Sequence, residues 1–436
     1  MSQPNILFIC TDQQFAGAMS CTGNPYLHTP HMDRLAAAGA RFDRCYCAQP
    51  LCTPARAALF HGQMPHTLDV TENQHELPAK FIPRGMGRLL REAGYHCAYG
   101  GKWHVGPIAM PTENEHGFEV IAGFNDNRLA DACLDFLQRA HAQPWLLVAS
   151  FDNPHNICEY ARNEPLPWAA IDEPPIAECP PLPANFAIPP YEPQLLRLAT
   201  AADRRVWPTR EYTPEQWRRL RHAYYRLCET VDREIGRILE SLDAAGLTKN
   251  TVIIFTSDHG DGHAAHQWNQ KWALYEESAR VPFIVVDPAA PPAVRGRVDG
   301  QHLINNGLDL LPTVLDYASA PVPDELPGRS VRPLAAGDGV ANWPDQVVCE
   351  TNFGMLPRNS TGRMVRTARY KYCVYGWGQN REQLFDLTTD PGEMVDLAVT
   401  TRAQPVLDEH RQRLRDWCRR FDDPFLPRVP APADEI

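Results

Sequence analysis

Three apolar runs frame this chain: Asn5–Thr11, Trp145–Phe151 and Thr251–Ser257, each of seven residues. They are nearly continuous rather than alternating, the pattern of parallel strands buried on both faces. Each run gives way to polar residues, namely Asp12-Gln13-Gln14, Asp152-Asn153-Pro154-His155 and Asp258-His259-Gly260-Asp261. Open α/β sheets gather ligands beyond the carboxyl ends of their strands, so the pattern predicts three strands ending at one rim. Tyr95–Tyr99 and Arg280–Val286 read as two more strands. Helical patterns separate the runs. Thr29–Gly39 has a threonine start and a glycine stop, Gly85–Gly94 is amphipathic, a long segment from Thr213 to about Gly246 has Pro214 at a favoured first position, and Asn306–Leu315 is helical despite Pro312. The fold class is α/β, a large mixed β-sheet sandwiched by helices.

Two stretches interrupt this rhythm. Glu164–Pro214 is dense in proline and reads as an irregular excursion, either a pocket wall or a surface loop. Around residues 321–345 the composition turns to proline, glycine and alanine, which predicts a boundary between a catalytic domain, 1–344, and a C-terminal subdomain, 345–436. Beyond it Val365–Tyr375 alternates and meets the hairpin signal Gly376-Trp377-Gly378. Glu382–Leu387 reads as another strand, and Gln404–Phe421 as an amphipathic helix packed on it. The subdomain is therefore expected to be a small antiparallel sheet plus a helix.

Composition narrows the functional classes. A chain of 436 residues with 44% hydrophobic content can bury a large core. A net charge of −11 speaks against general affinity for nucleic acid or anionic membranes, so an anionic substrate must be captured by a local basic pocket. No stretch is long and apolar enough to span a bilayer. The first apolar run starts too early for a secretory leader, so the expected location is cytoplasmic, or periplasmic if a leader has been removed. Thirteen scattered cysteines fit reduced thiols better than disulfides.

The candidate chemistry lies at the ends of the runs. Asp12 and Gln13 are hard oxygen donors suited to Ca²⁺ or Mg²⁺, although such an aspartate can equally cap a turn. Asp258 and His259 can complete a metal shell, and the histidine brings Mn²⁺ into competition. Lys102 and His104 share one face if their segment is extended, where they could neutralise an anion and protonate a leaving alkoxide; the alternative is a solvated loop. Lys271 is a second candidate cation. Cys52 heads a predicted helix in Gln49-Pro50-Leu51-Cys52-Thr53-Pro54-Ala55-Arg56, where free backbone N–H groups attract anions. It reads as a nucleophile or as a buried structural thiol.

The C-x-P-x-R pattern at Cys52, in order with Asp12-Gln13, Lys102 with His104, His155, Asp258-His259 and Lys271, resembles the type I sulfatases of the alkaline phosphatase superfamily. The likeness extends from about residue 4 to 400, since Arg369-Tyr370-Lys371-Tyr372 and Leu384-Phe385-Asp386-Leu387 with Asp390-Pro391-Gly392-Glu393 resemble that family's small terminal subdomain. The resemblance implies that a formylglycine-generating maturation enzyme oxidises Cys52 to an aldehyde whose hydrate attacks sulfur. It also implies one divalent ion, Ca²⁺ with Mn²⁺ or Mg²⁺ as alternatives, held by Asp12, Gln13, modified Cys52, Asp258 and His259. Arg56 would steady the diol, Lys102 and Lys271 would hold sulfate oxygens, and His104 and His155 would handle protons. Two departures stand out: many members have Asp-Asp at Asp12-Gln13 and Asp-Asn at Asp258-His259.

The expected activity is hydrolysis of a sulfate monoester on a mono- or oligosaccharide. Asn73, Trp103, Asn153, His263, Trp268 and Asn269, with His75, Glu159 and His266, are the candidate substrate-binding residues, because Trp faces stack on sugars while Asn and His bond hydroxyls. A phosphonate monoester or phosphodiester hydrolase is the alternative, since relatives with a Gln/His metal set cleave phosphorus esters. A non-catalytic sugar-binding protein would follow if Cys52 stays a thiol.

Overall fold

The computed structural model describes residues 3–107, 109–168, 170–357 and 360–432. In chain order its strands are β1 (Asn5–Asp12), β2 (Ala40–Phe42), β3 (Cys45–Tyr46), β4 (His96–Gly101), β5 (Glu119–Ala122), β6 (Trp145–Pro154), β7 (Thr251–Ser257), β8 (Phe283–Val286), β9 (Arg297–Asp299) and β10 (Ile304–Asn305). A later group comprises β11 (Gln346–Asn352), β12 (Thr361–Thr367), β13 (Tyr370–Tyr375) and β14 (Glu382–Asp386). The main sheet runs β5-β4-β6-β1-β7-β8-β2-β9, with β3 and β10 forming a short separate pair. From β5 to β7 all neighbours are parallel, and β8 runs against both β7 and β2. The three apolar runs are thus the adjacent strands β6, β1 and β7, and Asp152, Asp12 and Asp258 do meet at one rim.

Why those runs are continuously apolar is visible in the packing. On β1, Ile6 and Phe8 enter one core and Leu7 and Ile9 the other, so neither face meets water. The helices α1 (Pro30–Ala38), α3 (Asp126–Leu137) and α4 (Pro214–Ala244) cover the Leu7 side, while α2 (Cys52–His61) and α5 (Asn306–Tyr317) cover the Phe8 side. Helix α4 opens with a capping box between Thr213 and Gln216, as the Thr-Pro start suggested.

Strands β11 to β14 form an antiparallel sheet in sequence order. Val347, Cys349 and Met364 on one face join the main core, and Val348, Val365 and Tyr372 on the other pack against Leu407, Leu414 and Trp417 of α6 (Gln404–Arg420). Two local expectations are corrected. Val365–Tyr375 is two strands, since the chain reverses at Ala368-Arg369 between β12 and β13, whereas the hairpin signal at Gly376–Gly378 does join the antiparallel pair β13 and β14. Arg280–Val286 is a strand only from Phe283, because Pro282 has no N–H to give a ladder. All thirteen cysteines are free. No helix among the described residues is long and apolar enough to cross a membrane.

Candidate active site

The site is assembled where β1, β6 and β7 end and α2 begins. Cys52 is the first residue of α2, and Leu51 before it offers no side-chain cap. One free first-turn donor, the Thr53 N–H, is taken by Asn73 Oδ1 at 3.1 Å, so Asn73 caps the nucleophile-bearing helix. Asp12, Cys52, Asp258 and His259 each bring a ligand atom to within 4.8 Å of the others, and all are buried. The Cys52 thiol lies 3.2 Å from His259 Nε2 and 3.7 Å from Asp12 Oδ1. His259 Nδ1 faces the Gly260 carbonyl at 2.9 Å; donating there leaves the Nε2 lone pair aimed into the cluster, the form a metal ligand needs.

Three carboxylates and three cations interlock around this cluster. Arg56 is wholly buried: Nε donates to Asp258 Oδ2 (2.8 Å), Nη2 to Asp12 Oδ2 (3.1 Å), and Nη1 to the Lys102 carbonyl (2.7 Å) and Ser150 Oγ (2.9 Å). Lys102 Nζ lies 2.8 Å from Asp12 Oδ2 and 2.9 Å from Asp152 Oδ1. Lys271 Nζ donates to Cys52 Sγ and to Gln13 Oε1, each at 2.9 Å. Charges this deep tolerate no missing partner; deleting one member of such a pair costs about 3–5 kcal/mol.

The electrostatics favour negative charge at position 52. Burial and Asp12 push the Cys52 thiol up, but Lys271, Lys102 and His259 bring it well below its ordinary value. Burial likewise opposes ionised Asp12, yet Lys102, His155, Arg56 and Lys271 hold its carboxyl well below the usual range. Burial and Asp12 act the other way on Asp258, whose carboxyl is raised.

Backbone geometry aims these groups. Gly101 ends β4 at φ +92, and a Cβ there would lie 1.9 Å from the Ser150 carbonyl oxygen, so only glycine lets β4 close onto β6 before Lys102 turns inward. His104 also has a left-handed φ, +51, so the extended geometry from which alternation placed Lys102 and His104 on one face is broken at His104. Its Nδ1 is buried without a hydrogen-bond partner. His155 is partly open, with Nδ1 3.9 Å from Asp152 Oδ1. Gln13 sits beside the cluster: its N–H donates to Asp258 Oδ1 at 3.1 Å and its Nε2 to Asp261 Oδ2 at 2.6 Å.

Most candidate substrate residues are packed away from solvent. Trp103 is in an aromatic core with Phe60, Tyr99 and Phe118. Trp268 is buried against Trp207 and donates its indole N–H to the Lys271 carbonyl at 2.9 Å. His263 is enclosed by Phe15, Tyr224 and Tyr225. Asn153 donates to Asp126, and Asn269 bonds Thr209. These side chains support the site and present no face to a sugar; the excursion covers Trp268, Asn269 and His266 through Trp207, Thr209 and the Asn185 carbonyl, which accepts the His266 N–H.

Several residues with clear roles were not nominated. Asp152 anchors Lys102, and its sequence signal, an acid ending a buried run, matches that of Asp12. Ser150 accepts from Arg56 while donating to the Lys102 carbonyl at 2.7 Å. Asp126 accepts both the Asp152 and Asn153 N–H groups at 2.8 Å and so fixes the end of β6.

A family model described as Sulfatase matches residues 4–320, and one described as N-sulphoglucosamine sulphohydrolase, C-terminal, matches residues 264–420. The chain belongs to the sulfatase family, within the alkaline phosphatase superfamily. It is a sulfuric ester hydrolase by that membership. It is similar to a Delta 4,5-hexuronate-2-O-sulfatase of Bacteroides thetaiotaomicron, 30% identical over 97% of this chain and 90% of that protein. A solved 2-O GAG sulfatase superposes with a TM-score of 0.86 at 28% identity, covering 99% of this chain and 95% of the other. The phosphonate monoester hydrolase of Agrobacterium radiobacter shares the fold, with a TM-score of 0.75 at 21% identity over 96% of each chain.

Proposed function

We propose that this sulfatase removes sulfate from a carbohydrate monoester, using formylglycine formed from Cys52 and one divalent ion. The observation that carries this reading is the convergence on one atom, Cys52 Sγ, of Lys271 and of the Asp12, Asp258 and His259 ligand atoms. That sulfur stands in for a hydroxyl of the hydrated aldehyde, which would take its place in the mature protein. The donor set of two carboxylates, an imidazole lone pair and position 52, with Gln13 adjacent, fits a divalent cation; Ca²⁺ suits the carboxylates and Mn²⁺ the imidazole. When bound, such an ion polarises an ester oxygen and lowers the charge cost of an oxygen nucleophile.

The chain's own groups do the rest. Lys102 and Lys271 flank position 52 and neutralise charge developing on sulfuryl oxygens, held in advance by buried carboxylate and amide partners. Arg56 fixes Asp12 and Asp258 relative to each other. His155, on the open side next to Asp152, is placed to protonate the departing alkoxide. The carbohydrate assignment draws on the hexuronate-2-O-sulfatase and GAG sulfatase relatives. It is tested with metal-loaded protein, modified at Cys52, on defined sulfated mono- and disaccharides beside choline sulfate and a phosphonate monoester. Turnover of a sugar sulfate with the highest kcat/KM is the expected result; preference for the phosphonate ester or choline sulfate would overturn the assignment.

A further inference from the structure

The surroundings of the two lysines differ sharply. On the Lys271 side, Trp268, Trp272 and Asn269 are buried and Trp207 packs behind them. On the Lys102 side, the His155 side chain is 24% exposed and Phe124 is 49% exposed. A sulfuryl group held between the lysines must therefore extend its ester oxygen, and the alcohol attached to it, toward the Lys102 side.

Two aromatic rings stand there. The Phe124 ring centroid lies 5.7 Å from Lys102 Nζ, and the half-buried Trp168 ring meets Phe124 edge-on, with centroids 6.0 Å apart at 80°. Trp168 donates its indole N–H to Asp152 Oδ2 at 3.3 Å, so the carboxylate that fixes Lys102 also orients this ring. A phenylalanine left half in water beside a buried ammonium has gained little from folding and offers an unfilled apolar face. Neutral sugar rings present C–H faces that stack on such surfaces, whereas a cationic leaving group would meet the Lys102 ammonium.

We propose that Phe124 and Trp168 form an aromatic cradle for the sugar ring that carries the sulfate, and that they determine specificity for ring alcohols over small alkyl ones. This rests on the sulfate-ester reading above. The two rings come from separate segments, one following β5 and one in the proline-rich excursion, so the excursion contributes directly to recognition.

The test is steady-state kinetics of mature, metal-loaded wild type, Phe124→Ala, Trp168→Ala and the ring-keeping Phe124→Tyr and Trp168→Phe, on a sulfated monosaccharide, ethyl sulfate and choline sulfate. The alanine variants should lower the ratio of kcat/KM for the sugar over that for ethyl sulfate by about tenfold each, mainly through KM, equivalent to about 1.4 kcal/mol. The ring-keeping variants should restore most of it. An equal loss on both substrates would mean that Trp168 only positions Asp152, and would overturn the cradle. So would an unchanged ratio, or a selective loss on choline sulfate. Wild type active on ethyl sulfate but on no sulfated sugar would overturn the cradle and the carbohydrate assignment while leaving the sulfate-ester reading standing; inactivity on every sulfate ester would overturn that reading as well.

Discussion

Arg56 and Lys271 carry the same charge into the same site and do different work. The Arg56 fork is spent on Asp12, Asp258, Ser150 and a backbone carbonyl, so it positions ligands. Lys271 aims its ammonium at the position 52 atom itself. Lys271→Ala should therefore lower kcat by about 10²- to 10³-fold, the cost of losing one preorganised charge-stabilising donor. Single-turnover and steady-state rates check this; a loss smaller than about tenfold would show that Lys271 is structural. At this scale the sequence was readable where an acid ended an apolar run and where the cysteine headed a helix in company with Pro54 and Arg56. It misled at the tryptophans, because residue type does not say which way a side chain faces. Trp103 and Trp268 went into the core, while Phe124, without a motif to mark it, stayed in the open.

Elements were legible in proportion to how completely one environment surrounds them. β1, β6 and β7 have apolar neighbours on both faces, and their runs are unbroken. The reversal at Ala368-Arg369 has no glycine, asparagine or proline to mark it, so alternation ran straight through it. The order of β8, β2 and β9 depends on long-range pairing that periodicity does not encode. Helix α2 carries a further prediction. His61 at its end is buried, with Nδ1 donating to the Ala57 carbonyl at 2.9 Å, and burial pushes it from 6.5 down to about 4. Its folded-state pKa is depressed, so protons favour the unfolded chain between those values. The stability from neutral His61 is complete above pH 6.5 and is lost as pH falls to about 4. The full shift corresponds to roughly 3 kcal/mol. Urea unfolding of wild type and His61→Gln at neutral and mildly acidic pH should show the wild type losing more on acidification; equal losses would contradict the assignment.

At the scale of the molecule, the second sheet braces the site from behind. The Glu350 N–H donates to the Ala48 carbonyl at 2.7 Å, just before the Cys52 segment, and Thr351 Oγ1 donates to the Trp272 carbonyl at 2.6 Å, just after Lys271. Buried Lys371 lies 3.2 Å from Glu276 and 2.7 Å from Glu393, tying β13 to the chain that follows Lys271. β11 thus holds the chain on both flanks of the site, and of the terminal motifs that resembled the family's fold, Lys371 and Glu393 secure the Lys271 side. Everything in this arrangement converges on one covalent question, which is settled by measuring the fraction of aldehyde at residue 52 by peptide mass spectrometry across preparations matured to different extents, alongside kcat on one sugar sulfate. Activity should rise in proportion to the aldehyde fraction and extrapolate to zero for the unmodified thiol and for Cys52→Ala. Full turnover by protein carrying only the thiol would contradict the account.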